Sequence, residues 1–198
     1  MQLVDLFIAC KDLLQQWSSK ALEEWLQVFN DMLQLIQFDS IKKECTNLAI
    51  LLSEASQPLE SKMCAAMVFG YLSNVMPFKE YEIQFLSCIR SLCHDFNWQV
   101  RKMMCESLNM IITSYRCSEA GKELFVEEIL NLVFDYEEEV RGSSIITFIS
   151  CFKYFMSTHS KQIYTVVKSI FQKMTDKIAL PFSERIGVLI SGVKTLFS

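Results

Sequence analysis

The strongest constraint in this chain is a format that it states twice. "HDFNWQVRKMMCESL", from His94, runs from an Asp through a short aromatic-bearing stretch into Val-Arg at the head of an amphipathic run. "FDYEEEVRGSSIITF", from Phe134, does the same, and the two Val-Arg pairs stand 40 residues apart. A step of 39 residues towards the N-terminus reaches Lys62 in "QPLESKMCAAMVFGYL". There Lys replaces Arg, and Ala65, Ala66 and Phe69 match Met104, Cys105 and Leu108 in character. Towards the C-terminus, after a slightly longer interval, Arg185 opens the apolar run in "LPFSERIGVLISGVKTL". "SSKALEEWLQVFNDML" occupies the corresponding place near the start, without a clear Val-Arg. A period of about 40 residues is the length of a HEAT-type helix pair; it exceeds the TPR and ankyrin periods, and their signatures are missing.

Apolar residues between these landmarks recur at helical spacing. Leu22, Trp25, Leu26, Phe29, Met32, Leu33 and Ile36 form one stripe, and Val100, Met103, Met104, Leu108 and Ile111 another. The run holding Met63, Met67 and Tyr71 is apolar nearly all round. No period-two alternation is long enough for a strand. Three prolines and five glycines in 198 residues fit helices joined by tight turns, and Pro58, Pro77 and Pro181 fall near the junctions. The expected fold is all-α: an α-solenoid of about five HEAT-type helix-pair repeats, an armadillo-like superhelix, in a single domain spanning 1–198. The approximate units are 1–38, 39–77, 78–117, 118–158 and 159–198.

Charge and motif content narrow the function. A net charge of −4 lacks the basic excess of a nucleic-acid binder, so no nucleic acid is expected as partner. Asp5 interrupts the apolar part of "MQLVDLFIACKDLL", which also lacks a positive leader, and no run approaches membrane-span length. We therefore expect a cytoplasmic chain with no membrane segment. Eight cysteines show neither CxxC pairs nor a disulfide rhythm, which points to reduced, buried thiols. Cys88, Cys93 and His94 lie close in sequence, but no second ligand pair accompanies them, so no metal or other cofactor is expected. Nucleophile elbows, phosphate loops, HExxH and dinucleotide fingerprints are all missing, so the chain is not expected to be an enzyme. The nearest catalytic rival, a HEAT-like DNA glycosylase, would want a clustered basic face that this acidic sequence does not offer.

The doubled format has a physical reading. An Asp at the turn between two helices accepts from exposed N–H groups at the start of the second helix and favours the positive end of its dipole. Val100 is then the first buried residue of that helix. Arg101, one place on, faces sideways, where a stacked neighbour's turn Asp would lie. Asp95, Arg101, Asp135 and Arg141 are therefore expected to form a structural charge ladder between repeats.

The stretches "SLCHDFNWQVRKMMCESLNMI", "FDYEEEVRGSSIITFISCF" and "IYTVVKSIFQKM" resemble the HEAT-repeat scaffold and regulatory subunits of serine/threonine phosphatases, relatives of the phosphatase 2A scaffold. The resemblance runs from Leu59 to Met174, about three of the five units. It implies a non-catalytic protein whose intra-repeat turns form a ridge of partner contacts, with a phosphatase catalytic subunit as the implied partner. The matching positions are Phe96, Asn97 and Trp98 in one turn and Tyr136, Glu137, Glu138 and Glu139 in the next. Aromatics at such turns either meet a partner or fold back as staples on their own repeat. A HEAT adaptor of transport or cytoskeletal systems is the alternative reading.

Overall fold

The computed structural model describes residues 39–115 and 119–155, together with Val28 and Asp31. Apart from Val28 and Asp31, the units expected at 1–38 and 159–198, with Arg185 and Pro181, lie outside the described residues. Six helices follow one another: α1 (Asp39–Leu52), α2 (Leu59–Leu72), α3 (Phe78–Cys93), α4 (Trp98–Ser114), α5 (Glu119–Val133) and α6 (Glu138–Phe155). No strand occurs among the described residues, and none of their helices is long and apolar enough to cross a membrane.

Proline sets two of the starts. Pro58 and Pro77 hold φ near −64° and −62° at the N-caps of α2 and α3, where a missing N–H costs little. α2 closes at Ser73, whose N–H donates to Phe69 O, and the Asn74 N–H that follows donates to Tyr71 O.

The all-round apolarity of α2 is explained by its neighbours. It packs against α1, α3 and α4, and nearly all of its length from Ser61 to Leu72 is buried. α3 is one-sided: Tyr81, Phe85, Ile89 and Leu92 point inward while Ile83 and Gln84 are exposed. The second helices α2, α4 and α6 lie against one another in succession, whereas α1, α3 and α5 touch each other lightly. This two-layer order is consistent with an α-solenoid.

Among the described helices, α2 and α4 share the most extensive seam. Gly70 has no Cβ, and one placed there would collide with the Met110 methyl and press on the Ser107 backbone. Around it, Phe69, Phe78, Tyr81, Phe85 and Tyr115 form a chain of ring contacts at 5.0 to 5.3 Å. The two tyrosine hydroxyls are spent on the backbone: Tyr81 Oη donates to Phe69 O at 2.7 Å and Tyr115 Oη to Met76 O at 3.0 Å. Burial, with Tyr115 a lesser contributor, holds the Tyr81 phenol well above its ordinary range. Among the described cysteines, burial pushes the thiols of Cys45, Cys64 and Cys105 up to about 12, a poor setting for nucleophilic sulfur. In the first-helix layer, the buried Glu128 of α5 receives Arg90 of α3 at 3.2 Å and faces His94 at 3.1 Å.

Candidate partner-binding surface

The α3–α4 and α5–α6 turns have the same local build. Asp95 Oδ1 accepts the Asn97 N–H at 2.8 Å, and Asp135 Oδ1 accepts the Glu137 N–H at 2.9 Å. Each Asp thus closes its turn with a side-chain-to-backbone bond, which is why an Asp opens both. The Arg of the following helix reaches back to the same turn. Arg101 Nη1 donates to Asp95 O at 2.7 Å and Phe96 O at 3.1 Å. Arg141 Nη1 donates to Asp135 O at 2.8 Å and Tyr136 O at 2.7 Å.

The carboxylates work across helix pairs. Arg101 is only 4% exposed and grips Asp135 with two parallel bonds, Nε to Oδ2 at 2.6 Å and Nη2 to Oδ1 at 2.9 Å. Of Asp95, Arg101 takes the backbone carbonyl and not the carboxylate. The Asp95 carboxylate instead meets Lys62 of α2, 3% exposed, at 2.9 Å. Burial alone would push the Asp135 carboxyl up. The Arg101 bonds, the Glu137 N–H and the charges of Arg101 and Arg141 outweigh it and hold that carboxyl below its ordinary value. The same hydrogen bonds to Asp135, against a smaller opposing effect of burial, raise Arg101.

The aromatic after each Asp covers the cation beneath it. Lys62 Nζ lies 5.5 Å from the Phe96 ring centre, and the Arg101 guanidinium 4.5 Å from that of Tyr136. Their outer faces remain open to solvent: Phe96 is 78% exposed and Tyr136 73%. The inner face of each ring lies over the cation of the preceding helix pair, and the outer face is left free for other contacts. The 40-residue register brings each turn beside the previous basic residue, but it does not encode the direction of the ring.

The remaining positions separate. Trp98, expected in the solvated turn, is the first residue of α4, half-buried against the core. Asn97 and Glu137 are half-buried. Glu138 and Glu139 are exposed in the first turn of α6, where negative charge suits the helix dipole, and Glu139 meets Lys102 at 3.4 Å. Among the described residues no group of His, Cys, Asp and Glu could hold a metal.

The described residues thus form an all-helical stack that presents exposed aromatics and carboxylates from successive turns. Serine/threonine-protein phosphatase 4 regulatory subunit 4 of Homo sapiens is 24% identical to this chain over 178 residues, which cover 88% of the chain and 20% of the relative. The Mus musculus protein of the same name gives the same identity and coverage. The chain thus spans about a fifth of the length of the curated relatives it matches, and the relationship is distant. No family model matches the chain. No solved structure matches it.

Proposed function

We propose that this chain is a non-catalytic scaffold or regulatory protein, a single domain of about five HEAT-type helix pairs over 1–198. It binds a serine/threonine phosphatase catalytic subunit in the cytoplasm through its intra-repeat turns. The observation that carries the reading is the pair of exposed rings, Phe96 and Tyr136, at equivalent positions of successive turns. Large apolar groups held in solvent by a rigid turn are what an interface core uses. Glu138 and Glu139 extend the same surface, and the distant likeness to phosphatase regulatory subunits supplies the partner class. Asp95, Arg101, Asp135 and Arg141 serve the stack in this reading, and Trp98 serves it more than the partner.

The test is affinity capture of the tagged chain from cytosol, with Phe96→Ala/Tyr136→Ala beside it. The expected result is a phosphatase catalytic subunit with the parent chain and about 2 kcal/mol weaker capture by the variant. Capture unchanged in a variant that still melts cooperatively would remove the ridge. Transport receptors or tubulin in place of a phosphatase would move the protein to the adaptor class.

A further inference from the structure

At the turn ridge α1, α3 and α5 end and α2, α4 and α6 begin. The negative end of each first helix lies beside the positive end of the second, so the dipoles oppose one another and side chains set the sign of the ridge. The cations of the described turns are already spent. Lys62 is held by Asp95, Arg90 by Glu128, Arg101 by Asp135 and Lys102 by Glu139. Arg141 donates to two carbonyls of its own turn. His94 faces Glu128.

Carboxylates are left over. Glu54 and Glu60 beside the first turn and Glu138 beside the third are exposed, and Glu137 is half-buried. None of these four makes an ion pair among the described residues. The surplus flanks the two rings. Glu60 stands two residues before Lys62, the cation under Phe96, and Glu138 stands two residues after Tyr136. The surface therefore offers two apolar ring faces between uncompensated negative charges.

We propose that this ridge docks a basic segment of a protein partner, whose lysine or arginine side chains cross the outer faces of Phe96 and Tyr136 and end at Glu60 and Glu138. Such side chains suit the surface because they carry an apolar stem and a charged head: the stem covers the ring and the head meets the carboxylate. An acidic partner surface is repelled by the same charges. The inference rests on the reading of the ridge as a docking surface and adds the sign of the partner.

The test is fluorescence anisotropy of a labelled, capped lysine–leucine peptide titrated with the full chain, beside its glutamate–leucine counterpart. Saturable binding of the lysine peptide is expected, weakening steeply as salt rises, with none of the glutamate peptide. Glu60→Lys/Glu138→Lys and Phe96→Ala/Tyr136→Ala, each shown to melt cooperatively, are both expected to weaken binding at least tenfold. Glu80→Lys/Glu82→Lys makes the same change of charge near the start of α3, at the opposite edge of the stack, and is expected to leave binding within twofold. Weakening by the ring variant without the ridge charge variant would overturn the basic partner and leave the docking ridge standing. Weakening by neither would overturn both. Weakening by the ridge charge variant alone would take the rings out of the contact and overturn the proposal as stated. Equal weakening by the α3 variant would assign binding to the net charge of the chain and overturn it. Equal binding of the glutamate peptide, or no saturable binding of the lysine peptide, would also overturn it.

Discussion

The two turn contacts follow one plan with different cations, and the difference shows what arginine adds. At the α2–α4 seam, Lys62 makes a single bond to Asp95 under the Phe96 ring. At the α4–α6 seam, Arg101 makes two bonds to Asp135 under the Tyr136 ring and two more to the carbonyls of its own turn. Lysine is a point charge that joins one helix to the next turn. The planar guanidinium joins two successive turns through one side chain and so fixes the distance between them. Both cations are buried, so each depends on its carboxylate to offset the loss of water.

Arg101→Ala is expected to have the largest effect. It leaves the Asp135 carboxylate buried with one backbone N–H and orphans the carbonyls of Asp95 and Phe96, a loss of about 3–5 kcal/mol. Chemical denaturation measures it. Lys62→Ala removes one bond and is expected to cost about 2 kcal/mol. Equal losses from the two substitutions would break the comparison. Arg101→Lys sharpens it: charge is kept and the fork is lost, so the α4–α6 seam should fall to the strength of the α2–α4 seam.

Much of this is legible in the sequence alone. Helical spacing survives because each helix must bury a stripe, and the echo at 40 residues places Asp135 one helix pair from Arg101. Lys62 was readable as the counterpart of Arg101 for the same reason. Two things were not. The aromatic cover over each cation depends on ring direction, which spacing does not encode. The tuck of Trp98 depends on where α4 begins, and a shift of one or two residues there moves a side chain from solvent to core.

Acid separates the charge contribution from packing. The folded Asp135 carboxyl is held below its ordinary value, so its contribution is present above the unfolded carboxylate range and is lost as pH falls through the folded value. Asp135→Asn should therefore melt below the parent at pH 7, and the gap should close below about pH 4 as the parent's carboxyl protonates. A gap that persists undiminished at low pH would mean that Asp135 acts through its shape and its bond to the Glu137 N–H, not its charge.

The smallest effect is expected from Tyr136→Phe, which gives the α4–α6 seam the same ring as the α2–α4 seam. The tyrosine hydroxyl is 3.5 Å from Phe96 O, too long for much strength, and Arg101 already serves that carbonyl. The ring itself, 4.5 Å from the guanidinium, is kept. The change should stay within about 0.5 kcal/mol, whereas Tyr136→Ala, which removes the ring, should cost about 1 kcal/mol. Thermal melts of the two variants side by side separate ring from hydroxyl. A Tyr136→Phe loss as large as that of Tyr136→Ala would show that the hydroxyl holds the cover in place. The tyrosine, like the arginine beneath it, would then be a specific choice at this seam, and Phe96 over Lys62 would be the weaker version of both.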